Sequence, residues 1–421
     1  MRQSHLFTKT RKEAPSDETS KNAQLLIRAG YVYKEMAGVY SYLPLGLRVL
    51  ENIKQIIREE IHREGGQEMV MTALQEKELW EQTDRWDDSV VDIWFKTELK
   101  NGTELGLGIT HEEPLTRIMT SYISSYRDLP QYAYQFQNKF RNETRAKSGI
   151  MRGREFLMKD LYDFSKNEAE HNEFYERIRG AYKRIFERVG IGDSTYVTFA
   201  SGGIFSEFSE EFQTVSDAGE DLIYVDEEKG VALNKEVYTD AVIEKLGLDK
   251  SALVEKKSIE VGNIFHLGTK FSEPLGLQYT DEAGNKVPVY MGSYGLGPTR
   301  LMGTLVEVLA DEKGIVWPES VAPFRVHLVG LNLDDAEIRD YAEGIYSALT
   351  TRGVTVLYDD RDVRPGEKFA DSDLIGIPYR VVVSRKTKSE GIFEVVERAT
   401  GEVHSLSEEE LYQKYIPEAE E

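Results

Sequence analysis

From Tyr134 to Phe164 the chain reads YQFQNKFRNETRAKSGIMRGREFLMKDLYDF, and side chains of one kind recur at every second position on either side of a central loop. That is the period of extended strands, whose successive side chains point to opposite faces. Tyr134, Phe136 and Phe140 share one face of the first strand, and Lys139, Arg141 and Glu143 share the other. The second strand sets Arg152, Arg154, Phe156, Met158, Asp160 and Tyr162 on a single face. Two such strands make a flat surface of fixed guanidiniums with an aromatic ring among them, which suits a triphosphate and a purine. An ordinary amphipathic hairpin with a solvated charged face shows the same alternation, but it would expose Phe156 and Tyr162 with the charges.

The 421 residues around this stretch are enough for two or three domains. A net charge of −22 argues against a general nucleic-acid coat while allowing a local basic patch. Cysteine is absent, which excludes disulfides and thiolate zinc sites and is compatible with a reducing compartment. The seven histidines show no metal-ligand spacing. The N-terminal stretch lacks the apolar core of a signal peptide and no apolar run approaches membrane-spanning length, so a cytoplasmic protein with no membrane association is expected.

In chain order, Ser20 to Gly38 read as helical. A long amphipathic helix then carries Leu47, Leu50, Ile53, Ile57 and Ile61 to a stop at Gly65-Gly66, and QEMVMTAL reads as one strand. Residues 77–104 read as a loop-rich approach holding Trp80, Trp86 and Trp94. Thr110-His111-Glu112-Glu113 then leads into a helix with Pro114 in its first turn. Thr110 with Glu113 three residues on fits a capping box, a ligand loop is the alternative, and the lone His111 reads as structural. Past the hairpin come a charged helix ended by Gly190, and one strand entered through Gly202-Gly203. Residues 226–258 form a polar segment too small for a domain. The stretch VPVYMGSYGLGPTRLMGTLVEVLA passes from strand through Gly292, Gly295 and Gly297 into a helix whose N-terminus favours anions. Beyond Trp317–Pro323 an alternating β/α pattern predicts a small doubly wound domain, with Asp359, Asp360 and Arg361 at the ligand edge of its sheet.

With these pieces in this order, nearly the full chain resembles the bacterial-type prolyl-tRNA synthetases, a family of class II aminoacyl-tRNA synthetases. FRNE at Phe140–Glu143 with MRGREFLMKD at Met151–Asp160 looks like motif 2 of the class, and GSYGLGPTR at Gly292–Arg300 looks like motif 3. The block from Val39 to Leu74 is similar to motif 1, the dimer element. THEE at Thr110–Glu113 is similar to the family's proline-binding loop. DDRDVRPGEKFADSDLIGIP at Asp359–Pro378 is similar to the signature of its anticodon-binding domain.

The resemblance implies an α+β fold: a class II catalytic domain, an antiparallel sheet flanked by helices, over 1–225 and 259–322. A small α/β anticodon-binding domain follows over 323–421, with 226–258 a short remnant in place of an editing insertion. It implies a homodimer that ligates L-proline to tRNA(Pro) with ATP and Mg²⁺, through a prolyl-adenylate. Arg141 and Arg300 would be the catalytic groups. Glu143, Arg152, Phe156, Glu260 and Asn263 would join them in holding ATP, and Glu211 and Glu260 would ligate the metal. Thr110, Glu112, Arg141, Asp160, Tyr162, Phe265 and Ser293 would line the proline pocket; an acidic group is needed there because the substrate ammonium is desolvated on entry. Arg145 and Lys147 at the hairpin tip, and Asp360 and Arg361 in the C-terminal domain, would meet tRNA.

The chain departs from the family at three places. Thr72 stands where motif 1 usually has a proline, Ser293 stands where a cysteine is frequent, and only 226–258 occupies the usual place of the editing domain. The last departure predicts no editing in cis. A non-catalytic paralogue serving as a tRNA-binding or polymerase accessory protein is the alternative; such proteins usually lose the motif 2 or motif 3 arginines, and here Arg141 and Arg300 are present.

Overall fold

The structure, a computed structural model, describes residues 1–144, 148–201 and 208–415. The chain forms two compact units, one of Met36–Val39 with Lys54–Thr304, the other of Met1–Glu35, Tyr40–Ile53 and Leu305–Glu421.

The first unit is built on a nine-stranded sheet. In chain order its strands are β1 (Gln67–Met69), β2 (Gln131–Phe140), β3 (Glu155–Ser165), β4 (Thr195–Ser201), β5 (Phe208–Val215), β6 (Asp221–Asp226), β7 (Val231–Asn234), β8 (Val254–Gly268) and β9 (Tyr290–Leu296). They lie in the order β5-β4-β7-β6-β8-β9-β3-β2-β1, with β5 also paired to β8. All pairs are antiparallel except β1 with β2 and β7 with β4. One row of partners crosses the middle of this sheet: Glu211, Asn263, Gly295, Asp160 and Gln135. A second row runs Ser209, Phe265, Ser293, Tyr162 and Ala133. Because opposed residues share a face, this register brings side chains from five strands to one side.

Helix α1 (Glu168–Arg188) covers the other face. It starts because the Asn167 side chain accepts the Glu170 N–H at 3.0 Å. It buries Phe174, Ile178, Tyr182 and Ile185 at helical spacing and ends before Gly190, whose φ is +89°. The rear face also makes Gly292 obligatory, since a Cβ there would strike Asp163, His171 and Tyr294. The three tryptophans of the loop-rich stretch pack together: Trp94 lies 4.8 Å from Trp80 and 5.3 Å from Trp86, ring to ring.

In the second unit a five-stranded sheet places the second of its strands at one edge, beside the first, with the third, fourth and fifth following in order. Its strands are β10 (Val326–Gly330), β11 (Val356–Asp359), β12 (Tyr379–Val383), β13 (Ile392–Glu397) and β14 (Val403–Ser407). The first three are parallel and the last two antiparallel, so the expected β/α pattern is extended by a hairpin. Its core joins Val326, Leu328, Val356, Val381 and Phe393 to Ala342, Ile345 and Leu349 of the Ala336–Thr351 helix. The chain's first residues cover the edge of β11, where Arg2 bridges Tyr358 and pairs with Glu343.

Several expectations are corrected. The helix expected over Ser20–Gly38 ends at Arg28; Gly30 takes a φ of +77°, and Val32–Met36 pairs with Val39–Tyr42 instead. QEMVMTAL does not form one strand, because β1 stops at Met69 and Leu74–Glu76 joins a separate three-stranded sheet. Of the strand expected to be entered through Gly202-Gly203, residues 202–207 lie outside the described residues; Phe208–Val215 forms β5, antiparallel to β4 before the glycines. Thr110 does not cap its helix: His111 takes the N-cap position, and the Thr110 hydroxyl turns to the Glu112 carboxylate instead.

Candidate active site

One cavity of about 380 Å³ opens on the face of the sheet away from α1. Every residue expected to hold ATP, proline or metal lines it: Thr110, Glu112, Arg141, Glu143, Arg152, Phe156, Asp160, Tyr162, Glu211, Glu260, Asn263, Phe265, Ser293 and Arg300. The sheet explains this convergence. Phe156, Met158, Asp160 and Tyr162 alternate along β3; Gly295 and Ser293 on β9 sit opposite Asp160 and Tyr162, and Asn263 and Phe265 on β8 sit opposite Gly295 and Ser293 in turn. Gly295 carries no side chain in the middle of its row, and a Cβ there would meet nothing closer than 3.9 Å, so the cavity floor stays open.

At one end the groups are cationic and aromatic. The Arg141 guanidinium donates to the Ile109 carbonyl at 3.3 and 3.4 Å and lies 5.3 Å from the centre of the Phe156 ring. Burial, and then the nearby Arg300, disfavour its charge, as expected of a cation placed to receive an anion. Arg300 donates to the Met151 carbonyl at 2.9 Å and to the Glu260 carboxylate at 3.0 Å. Arg152 pairs with Glu143 at 2.9 Å and with Glu220 at 3.0 Å.

Beside them Glu211 and Glu260 converge on the Asn263 amide, which donates to them at 3.4 and 3.1 Å. Burial, then the charge of Glu260, push the Glu211 carboxyl up to about 8. The buried Asn263 Oδ1 has no hydrogen-bond partner among the described residues. Two carboxylates and an orphaned amide oxygen are the hard oxygen donors that suit Mg²⁺.

At the other end lie buried acids. Glu112 is 1% exposed and Glu113 0%, and Arg85 donates to both, at 3.3 and 2.9 Å. Ser293 also donates to Glu112, at 3.3 Å. Asp160 accepts from Gln135 and from the Tyr162 hydroxyl, each at 3.0 Å, and forms a 2.8 Å ion pair with Lys139. Burial alone would raise the Asp160 carboxyl, but Lys139, His111 and these hydrogen bonds hold it below the usual carboxylate range. Burial, then Lys139, lower His111 to about 4, so the ring is neutral at physiological pH. Its Nδ1 lies 2.7 Å from Lys139 Nζ, and its Nε2 lies 3.0 Å from the Thr72 carbonyl. Lysine is the donor in the first contact, so the ring proton sits on Nε2 and is donated to Thr72. The buried Glu112, Glu113 and Asp160 thus face the buried cations Arg85 and Lys139, while the exposed Lys270 feels Glu113 and Glu112 and the Arg141 guanidinium feels Glu112.

Sequence reasoning missed Arg85, Glu113 and the Lys139–His111 pair as parts of the site. Strand parity had put Lys139 on the ligand face, where it is buried beneath Asp160 rather than open to the cavity. Arg154, placed on that face too, instead donates to the Glu143 and Ala37 carbonyls. Arg145 and Lys147 lie outside the described residues. Asp360 and Arg361 are both engaged within their own unit. Asp360 accepts from Ser4 at 2.7 and 3.0 Å, and Arg361 pairs with Asp359 at 2.7 Å and Asp371 at 2.9 Å.

Residues 95–309 match the family model described as the tRNA synthetase class II core domain (G, H, P, S and T), and residues 321–417 match the anticodon binding domain. The fold is therefore that of a class II aminoacyl-tRNA synthetase. A proline--tRNA ligase of Caulobacter vibrioides is 40% identical over 98% of both chains, and that of Hyphomonas neptunium is 38% identical over 98% of both. The chain belongs to the proline--tRNA ligases. Among solved structures, prolyl-tRNA synthetase from Cryptosporidium parvum complexed with halofuginone and AMPPNP superposes with a TM-score of 0.77 at 20% identity, covering 93% of this chain and 75% of that one. The same protein complexed with L-proline and AMP gives 0.74 at 20% identity, covering 93% of this chain and 73% of that one.

Proposed function

We propose that this one cavity holds both substrates of ATP-dependent proline ligation to tRNA(Pro), with the buried carboxylate end receiving the amino acid and the arginine end receiving the nucleotide. The observation that carries this reading is that the buried carboxylates Glu112 and Asp160 line one end of the cavity while Arg141, Arg152 and Arg300 line the other. An entering secondary ammonium meets buried carboxylates there, and an uncharged isostere forgoes that pairing. Thr110, Tyr162, Phe265 and Ser293 shape the pocket around the ring.

Arg141 bridges the proline carboxylate and the ATP α-phosphate, a two-anion contact that suits a planar guanidinium and not an ammonium. Phe156 stacks on one face of adenine, and Arg300 lies on the other and reaches the γ-phosphate. Glu143 accepts from the adenine amino group, and Arg152 is a second phosphate ligand. Both exchange their present ion pair for ligand contacts. The carboxylate attacks the α-phosphorus in line and pyrophosphate leaves. No general base is needed, because the nucleophile is already ionised, so positioning and charge stabilisation dominate. Glu211 and Glu260, with Asn263, would hold Mg²⁺, which shields the charge of the phosphates. The terminal ribose hydroxyl of tRNA then attacks the prolyl carbonyl, and AMP leaves. Arg145 and Lys147 hold the acceptor end. Asp360 and Arg361, already paired, serve tRNA by ordering their loop.

Residues 1–225 and 259–322 are taken as the catalytic domain and 323–421 as the anticodon-binding domain. The protein is taken as a cytoplasmic homodimer through its motif 1 block, where Val70 is 76% exposed and Leu74 is 55% exposed. Among the described residues no helix is long and apolar enough to cross a membrane. The segment 226–258 offers no second active site, so alanyl-tRNA(Pro) should persist in the presence of the purified protein; its rapid deacylation would contradict this. The main test is amino-acid-dependent pyrophosphate exchange across the twenty amino acids. Exchange with proline is expected, and exchange driven best by another amino acid would overturn the pocket reading. The non-catalytic alternative is set aside by the near full-length likeness to named ligases.

A further inference from the structure

The stretch 226–258 is not set apart from the catalytic sheet. Within it β7 runs parallel to β4, with Val231 opposite Val197 and Leu233 opposite Phe199, and antiparallel to β6. Its last residue, Asn234, has its amide orientation fixed. Asn234 Oδ1 accepts the Glu236 N–H at 3.3 Å, which turns Nδ2 the other way, and Nδ2 donates to Glu211 Oε2 at 3.1 Å. The same oxygen receives Gln213 Nε2 at 2.8 Å. A second tie leads from this stretch to the cavity: the Glu236 carboxylate accepts the backbone N–H of Ser201, a lining residue, at 2.8 Å.

We propose that Asn234 is a positioning residue for Glu211, so that the strand standing in place of an inserted domain is a working part of the nucleotide site. The proposal rests on the reading of Glu211 as a cation ligand. Two amides on Oε2 fix the rotation of the carboxylate. Oε1, which among the described residues receives only the long 3.4 Å contact from Asn263, is then the oxygen presented beside Glu260. Gln213 lies on the same strand as Glu211 and moves with it, whereas Asn234 holds it from a separate strand. Groups that orient a metal ligand in this way typically change metal affinity by about 10–100-fold when removed.

Asn234→Ser is the informative variant: its hydroxyl can still accept the Glu236 N–H, as serine does at helix starts, but it is too short to reach Glu211. The measurement is Mn²⁺ binding to the full-length protein with a non-hydrolysable ATP analogue, followed by electron paramagnetic resonance. A Kd roughly tenfold weaker is expected, with the KM for proline and the melting temperature unchanged. Glu211→Gln should weaken binding more, and adding Asn234→Ser to it should do nothing further. Should the serine variant fold poorly, Asn234→Thr keeps a capping hydroxyl on a strand-favouring residue and should show the same loss. Unchanged Mn²⁺ binding in Asn234→Ser beside a weakened Glu211→Gln overturns the positioning role and leaves Glu211 standing. Unchanged binding in Glu211→Gln overturns the Glu211 reading and the proposal together. Additive losses in the double variant show that Asn234 acts elsewhere.

Discussion

Replacing Arg85 with Met tests the buried charge balance directly. Arg85 is 3% exposed and is the cation shared by Glu112 and Glu113, while its guanidinium lies 5.2 Å from the rings of Trp80 and Phe271. Methionine keeps much of the packing volume and removes the charge. Taking one partner from a buried ion pair destabilises by about 3–5 kcal/mol. For the unit that holds Arg85, Met36–Val39 with Lys54–Thr304, that lowers the melting temperature by roughly 6–10 °C. The defect should depend on pH. Burial already raises the Glu113 carboxyl above its ordinary 4.5, and losing Arg85 raises it further. A group raised in the folded state is tolerated when protonated and penalises the fold as pH climbs above its unfolded value. The loss should therefore be largest near about pH 8 and smallest near about pH 5. Calorimetric melting at both pH values, with the KM for proline, reads this out; the KM should rise because Glu112 loses its anchor. A variant that melts with the wild type at both pH values, or whose defect grows toward acid, would refute the reasoning.

Arg141→Ala should reduce proline-dependent pyrophosphate exchange by about 10²–10³-fold or more, with the melting temperature kept, because a preorganised cation at the reacting phosphate is lost; retained exchange would count against its role. Lys159 is buried against the Tyr182 hydroxyl (2.6 Å) and the Tyr294 carbonyl (2.9 Å), and burial lowers it to about 7. Between about pH 7 and its ordinary 10.5 the unfolded chain holds the extra proton, so wild-type stability should gain a rising component with pH that Lys159→Met lacks, as measured by denaturant unfolding. Arg361→Ala frees Asp359 and Asp371 and loosens the loop after β11, so it should weaken tRNA charging while leaving exchange intact.

What could be read from the sequence follows from how local each signal is. The alternation along β3 alone places Phe156, Met158, Asp160 and Tyr162 on one face, because a strand's period is two residues wherever it sits. The row from Glu211 through Asn263 and Gly295 to Asp160 and Gln135 depends on register among strands far apart in the chain; Glu211 and Asn263 entered only through the family likeness, and Gln135 did not enter at all. Nothing local links Arg85 to Glu113, since neither is unusual in its own neighbourhood and only the fold joins them. Local patterns also misled. Leu25, Leu26, Ala29 and Val32 fit a helix, but the left-handed Gly30 ends it. Thr110 and Glu113 fit a capping box, yet each side chain has a stronger partner, Glu112 for the threonine and Arg85 for the glutamate.

Which end of the cavity takes which substrate decides every role assigned to its side chains. A crystal structure with a non-hydrolysable prolyl-adenylate analogue measures that directly. The pyrrolidine nitrogen is predicted within hydrogen-bonding distance of Glu112 or Thr110, the phosphate-like group against Arg141, and the adenine between Phe156 and Arg300. An analogue bound in the reverse sense, or with its ring nitrogen away from Glu112, Thr110 and Asp160, would contradict it.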